Sequence, residues 1–384
     1  MEQQNEKIRE AVESFRQEML DFWKDLINFQ AGSKEKERMQ TLMEKVSVYL
    51  QQLGLESELV ESGAVPLIRA WSGKGRAGQP ILLSGHLDTV FPDGSYPEDP
   101  FTIKEGKAYG PGVCDMKGGI VMAVYLAKVL EKIGYDRHPI KLFFVPDEEI
   151  THQGSQADRL LAEEAQGCLC AFNLETGRMD DCLTVGRKGC MDVWITVHGK
   201  AGHVGNAYAS SANAIEEMAY KIIALRALTD LEKGRIVSTD IISGGTVSNA
   251  VADTCRIEVD CRYDYNEDKD ALEKAIRAIC AENHVPGTRT EVEFPAFMPV
   301  FERTAGNDRL LDLVNQAAAE FGLSAFGAAH PGGCSDASFM AQAGIPILDS
   351  VGVKGDGAHT LQEYAIVETM FERTMLLAAA ICRL

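Results

Sequence analysis

Ile81-Leu82-Leu83-Ser84-Gly85-His86-Leu87-Asp88-Thr89-Val90 begins as an apolar run and ends on a histidine and an aspartate two residues apart. A run of this kind predicts a strand buried on both faces, as in a parallel sheet covered by helices. The flanking chain repeats the pattern. A strand is expected near residues 67–71, a helix at 117–133, an apolar strand at 140–145, a helix at 155–165 and a strand at 169–174. Strands alternating with helices predict an α/β fold with a mostly parallel sheet and helices on both faces. Upstream, residues 2–29 read as one amphipathic helix with Ile8, Val12, Phe15, Met19, Phe22 and Leu26 on one stripe. Residues 40–53 read as a second helix, ending at Gly54.

The pattern changes near Val185. Strands are expected at 191–198, 235–242, 254–262 and 289–294, with helices at 212–228 and 267–283. This order predicts a smaller α+β domain, like a split βαβ unit. The last part returns to helix, loop, strand and helix and rejoins the first domain. The expected organisation is therefore 1–185 with 298–384 as one domain and 186–297 as an insertion, which suits a chain of 384 residues.

Composition narrows the function classes. The chain has 38 basic and 57 acidic residues, a formal charge of -19. Nucleic acid is disfavoured, since phosphate binding needs a basic surface, and so is an anionic membrane. Apolar residues make up 45% and charged residues 25%, an ordinary globular balance. Residues 1–16 are charged and lack an apolar signal core, and no stretch approaches the ~18–20 apolar residues of a membrane span. The ten cysteines are scattered without a Cys-x-x-Cys pair, so reduced thiols in a cytoplasmic protein are expected.

Five places carry chemistry. His86 stands where a buried strand ends, the position at which open α/β sheets bind ligands, and Asp88 could hold its other ring nitrogen. Asp115, in Gly110-Pro111-Gly112-Val113-Cys114-Asp115-Met116-Lys117-Gly118-Gly119, precedes a helix and taken alone reads as an N-cap. Val145-Pro146-Asp147-Glu148-Glu149 puts three carboxylates at the end of an apolar strand, which is costly unless something positive compensates them. Glu175 follows another strand, and His359, in Gly355-Asp356-Gly357-Ala358-His359-Thr360, follows a strand expected at 347–351. Singly each has an ordinary structural explanation. Together, two histidines and three carboxylates suit zinc, manganese or cobalt, and one bridging aspartate would set two ions ~3.5–4 Å apart.

These motifs, in this order and spacing, resemble the metallopeptidase family of glutamate carboxypeptidase, aminoacylase, succinyl-diaminopimelate desuccinylase and peptidase T, over residues 81–364. The glutamate carboxypeptidase branch is most similar, through Gly332-Gly333-Cys334-Ser335-Asp336 and Val259-Asp260-Cys261-Arg262-Tyr263. The resemblance implies two divalent ions, zinc with manganese or cobalt as alternatives. His86, Asp115 and Glu175 would hold one ion, and Asp115, Glu149 and His359 the other. It implies Glu148 as general base, Asp88 as the residue that orients His86, and a cis bond at Asp115–Met116. The inserted domain would be a lid and homodimerisation domain. His203 would stabilise the oxyanion, Arg262 would bind the substrate carboxylate, and Asn249 would contact substrate. Gly332 and Gly333, before a helix expected at 335–343, would offer N–H groups to a carboxylate. The chain departs from the family pattern in Gly202 before His203, in Asn206-Ala207-Tyr208 after it, and in Ala358 before His359.

The expected activity is hydrolysis of a peptide or N-acyl amino acid to release an amino acid with a free carboxylate. In the family a glutamate at the position of Glu175 goes with carboxypeptidases and deacylases, and Arg262 agrees with that choice. A di- or tripeptidase needing a free substrate amino group is the alternative among hydrolases. A catalytically silent metal-binding scaffold is the alternative outside them.

Overall fold

The computed structural model describes residues 2–384. The chain forms two compact units. The first runs to Gly186 and takes in Arg303–Pro331 and Ser335–Leu384, and the second is Arg187–Glu302 with Gly332–Cys334.

The first unit is built on a six-stranded sheet in the order Glu56–Val60, Leu67–Ser72, Ile140–Val145, Ile81–His86, Cys170–Asn173, Ile347–Leu348. The last four strands are parallel and the first two form an antiparallel edge. Ile81–His86 and Ile140–Val145 are buried at every position. Alternation along a strand sends successive side chains to opposite faces. Ile81, Leu83, Ile140, Leu142 and Phe144 join the core shared with helices Glu2–Asn28, Gly118–Lys132 and Val367–Ile381. Leu82, Phe143 and Val145 are buried on the other side, where helix Ala157–Ala165 packs on the Ile140–Val145 strand. The α/β class expected from the sequence is thus the one observed. Glu56–Val60 has no buried position and carries no apolar signal, which is why only the structure reveals it. Helix Lys36–Gln52 begins earlier than its apolar stripe, because its first turn is polar.

One charge sits inside this layer. Lys141, the second residue of the buried strand Ile140–Val145, places Nζ 2.5 Å from Glu164 Oε2 and donates to the Glu164 carbonyl. Arg69 Nε donates to Glu164 Oε1 at 3.0 Å. Burial pushes the Glu164 carboxyl up, but Arg69 and Lys141 outweigh it and hold it below the usual range. A depressed folded-state value contributes stability above the unfolded pKa of ~4.3, and that contribution is lost as pH falls through the folded value. Glu164→Gln is therefore expected to destabilise the protein at neutral pH by about 2–3 kcal/mol. That is less than a fully enclosed pair would lose, because Arg69 is partly in solvent. Urea unfolding of both proteins from pH 7 downward should show the difference shrinking below the glutamate range, and a gap independent of pH would contradict the assignment.

The second unit is an antiparallel sheet, Ile236–Gly244, Thr254–Tyr263, Gly189–His198 and Arg289–Glu293, with Phe297–Met298 also paired to Gly189–His198. Helices Ala214–Arg226 and Asn266–Ala281 share its core through Ala214, Met218, Leu225, Leu272, Ile276 and Cys280. Arg187 and Phe301 exchange backbone hydrogen bonds and extend the unit to Glu302. Among the described residues no helix is long and apolar enough to cross a membrane, and all ten cysteines are free.

Candidate metal centre

The parallel strands deliver three side chains to one end of the sheet. His86 ends its strand and is almost fully buried. Glu149 lies in the turn after Ile140–Val145, and Glu175 just after Cys170–Asn173. Asp115 arrives from a widened, π-type turn, Val113–Lys117, that leads into helix Gly118–Lys132. It does not act as a helix cap, and the Asp115–Met116 peptide is cis. Two features seat this turn. A Cβ on Gly119 would lie 1.9 Å from the Leu174 carbonyl oxygen, so only glycine lets the helix start approach the strand end beside Glu175. The Thr176 hydroxyl then donates to the Cys114 carbonyl at 2.9 Å.

His359 comes from a different place than expected. It does not sit at the end of a parallel strand. It lies in the loop between Gly355–Asp356 and Tyr364–Ile366, two strands of a separate four-stranded sheet. The expected strand at 347–351 is only Ile347–Leu348, because the glycines and turns that follow break the run. His359 has a positive φ of 65° and a half-exposed ring.

The five side chains converge. His86 Nε2 is 3.3 Å from Asp115 Oδ1 and 3.7 Å from Glu175 Oε1. His359 Nε2 is 3.3 Å from Asp115 Oδ2 and 3.0 Å from Glu149 Oε2. Asp115 thus offers one oxygen to each imidazole. His86, Asp115 and Glu149 present donor atoms within 4.8 Å of one another. Asp88 lies behind them. It sits 3.2 Å from His86 Nδ1, and its two oxygens accept the backbone N–H groups of Glu148 and Glu149. One carboxylate therefore aims the histidine and suspends the acidic turn together.

The charge balance calls for a cation. Burial opposes a charged His86, but Glu175, Asp115 and Asp88 outweigh it and raise the imidazole well above its ordinary value. Asp115 and Glu149 push His359 up to about 10. Burial raises Asp115, yet the two histidines hold it below the usual carboxylate range. Glu148 is raised well above normal, first by burial and then, against the pull of His86, by Glu175, Asp336 and Glu149. Bound divalent ions would supply the positive charge that the histidines otherwise take up as protons. The mixture of imidazole nitrogens and carboxylate oxygens fits zinc, manganese or cobalt.

Sequence reasoning passed over Glu363. Its buried carboxylate accepts the backbone N–H groups of Gly112, Cys114 and Asp115 at 2.9, 2.8 and 3.1 Å, so it shapes the turn that carries Asp115. Burial pushes it up to about 7. Only the position of Glu363, four residues after His359, hints at this role.

The remaining candidates lie in the second unit. Gly202–His203 pairs with Ala250–Val251, and the Val204 N–H donates to the Asn249 carbonyl, so His203 and Asn249 are neighbours. His203 Nδ1 accepts from the Gly205 N–H at 3.1 Å, which leaves Nε2 as the N–H of the neutral ring. Arg262 makes a two-pronged pair with Asp260, Nε and Nη2 each at 2.7 Å, while Nη1 donates to the Cys334 sulfur. The Gly333 carbonyl accepts from Arg187, and the helix expected at 335–343 is only Ala337–Met340 with a further turn, Ala341–Ala343.

A strand-end cluster of this composition, on this fold, defines a metal-dependent hydrolase. The chain belongs to peptidase family M20/M25/M40, whose model matches residues 82–383. It is 29% identical over 358 residues to carboxypeptidase G2 of Pseudomonas sp. (strain RS-16), covering 92% of this chain and 86% of that one. It is 28% identical over 317 residues to succinyl-diaminopimelate desuccinylase of Wolinella succinogenes, covering 78% and 83%. The crystal structure of aminopeptidase PepT from Bacillus cereus superposes with a TM-score of 0.78 at 21% identity, covering 95% of this chain and 98% of that one, and shows the shared fold.

Proposed function

We propose that this metallohydrolase cleaves an amide bond to release an amino acid with a free carboxylate, as a carboxypeptidase or N-acyl-amino-acid deacylase. The observation that carries the proposal is Asp115, each of whose oxygens lies 3.3 Å from a different imidazole, the disposition of a bridging ligand. His86, Asp115 and Glu175 would hold one ion, and Asp115, Glu149 and His359 the other, with zinc as the native metal and manganese or cobalt able to replace it. When bound, the pair supplies Lewis acidity to the scissile carbonyl and to a water molecule.

The chain's own residues do the rest. Glu148 takes the proton of the attacking water and returns it to the leaving amine, a role suited to a buried carboxyl raised above its ordinary value. Asp88 keeps His86 in one orientation and Glu148 in place. His203 gives its Nε2–H to the developing oxyanion, across a homodimer. Arg262 offers Nη1 to the substrate carboxylate, with Asn249 and the N–H groups of Gly332 and Gly333 as further contacts. Exposed Ile241 and Ile242 on the edge strand Ile236–Gly244 support the second unit as the dimerisation surface. Ten free thiols support a cytoplasmic location. The relatives named carboxypeptidase and desuccinylase support a small acylated amino acid as substrate.

The test is hydrolysis of a panel of N-acyl amino acids and dipeptides by protein stripped with chelator and reloaded with zinc, manganese or cobalt. Stripping should abolish turnover, and metal should restore release of amino acid from acylated substrates. Activity confined to substrates with a free amino terminus would replace this proposal with a dipeptidase. No turnover with any metal would leave only a metal-binding scaffold.

A further inference from the structure

Beside the acidic turn lies a second set of buried groups that the proposed chemistry does not use. His152 is enclosed, and both of its ring nitrogens face carboxylates, Nδ1 at 3.2 Å from Asp147 Oδ1 and Nε2 at 2.7 Å from Asp336 Oδ1. All three side chains are nearly inaccessible. An imidazole that donates from both nitrogens is a cation, and the two carboxylates raise it well above its ordinary value against the effect of burial.

The surrounding bonds show what this cation holds. Asp147 immediately precedes Glu148. Its Oδ2 accepts the Gly154 N–H at 2.9 Å and its Oδ1 accepts the Ser155 hydroxyl at 2.8 Å. The His152 N–H returns to the Asp147 carbonyl at 3.0 Å, and Thr151 and His152 both have positive φ, so residues 147–155 form one closed turn. On its other side the turn hangs from Asp88 through the N–H groups of Glu148 and Glu149. Asp336 comes from a distant part of the chain; its Oδ1 meets His152 Nε2, while its Oδ2 is buried without a hydrogen-bond partner. A bare buried carboxylate oxygen is tolerated where a nearby cation offsets it. His152 thus joins two segments, and removing it would leave two buried acids without their cation beside the turn that carries Glu148.

We propose that His152 is a positioning residue for Glu148: gripped between Asp147 and Asp336, it locks the turn that presents the base and balances the acids around it. The proposal rests on the assignment of Glu148 as the base. Ring–edge packing against Phe339, with centroids 5.4 Å apart, sets the plane of the imidazole so that both nitrogens reach their partners.

The experiment compares wild type, Glu148→Gln, His152→Ala and His152→Gln as full-length, metal-loaded proteins, on the best substrate of the panel. Folding and metal content are checked by circular dichroism and atomic absorption. His152→Ala should bind the same amount of metal and keep KM within about threefold, yet lose kcat by about tenfold or more. Added imidazole, which can fill the vacated site, should restore several-fold of that loss. If His152→Ala does not fold, His152→Gln, which keeps one donor and most of the volume, is judged by the same kcat-against-KM split. A folded variant with unchanged kcat, a loss carried by KM alone, or a loss that imidazole leaves untouched would overturn the proposal. Wild type without turnover would sink the functional assignment and this proposal with it, whereas active wild type beside an equally active His152→Ala would remove only this one.

Discussion

Replacing Asp115 by alanine is expected to remove metal binding and hydrolysis together. Its carboxylate lies 3.3 Å from both His86 and His359, so its loss takes a ligand from each proposed ion. Substituting a residue outside the ligand sphere already costs ten- to a hundredfold in metal affinity, so loss of a shared ligand should cost at least about a hundredfold. Lewis-acid assistance is worth several kcal/mol, and at about 1.4 kcal/mol per decade kcat should fall by about a thousandfold or more. The surrounding turn should persist, because Glu363 holds it through the backbone N–H groups of Gly112, Cys114 and residue 115 and not through the aspartate side chain. Metal per chain by atomic absorption, beside turnover, checks this. A variant that retained both ions and most of its activity would rule out the bridging role.

Glu148→Gln separates proton handling from metal binding. Glutamine has the same shape, and the backbone N–H at this position would still donate to Asp88. Metal content and KM should stay near the wild-type values. General acid–base assistance contributes about a hundred- to ten-thousandfold, so kcat should drop by that factor. Steady-state kinetics on reloaded protein would decide, and full turnover by the variant would require a different base. The contrast between the two variants is informative in itself. Asp115→Ala should fail by losing the ions, and Glu148→Gln should fail while keeping them.

Much of the first unit can be read from the chain because its strands are buried on both faces. The run Ile140–Val145 has no polar residue except Lys141, and its bounds agree with expectation. The acidic triplet after it stood out for a physical reason, since carboxylates at the end of such a strand need compensation. Edges and caps were harder. Glu56–Val60 pairs through its backbone and buries no side chain, so it has no apolar signature. His359 could be picked out as a residue, but its support is a short antiparallel sheet assembled from Thr102–Lys104, Lys107–Tyr109, Gly355–Asp356 and Tyr364–Ile366. Strands this short leave no periodicity to count. Glu363 and His152 were missed because their roles arise from tertiary contacts, with backbone N–H groups in one case and with a distant aspartate in the other. Arg262 was singled out as a carboxylate reader, and the structure shows what the chain could not, that two of its donors are engaged by Asp260.

The route of the chain through the first unit also has a consequence in time. His86, Asp115, Glu149 and Glu175 all precede the excursion that leaves at Arg187 and returns after Glu302, whereas His359 follows it. During synthesis at ~5–20 residues per second the second imidazole therefore emerges from the ribosome on the order of ten seconds after the other four groups. The C-terminal helix Val367–Ile381 and the last strand of the parallel sheet, Ile347–Leu348, arrive in the same late interval. A nascent chain would pass through a stage with one ion's worth of ligands and an unfinished core. Its hydrolytic capacity would be switched on only by completion of the fold.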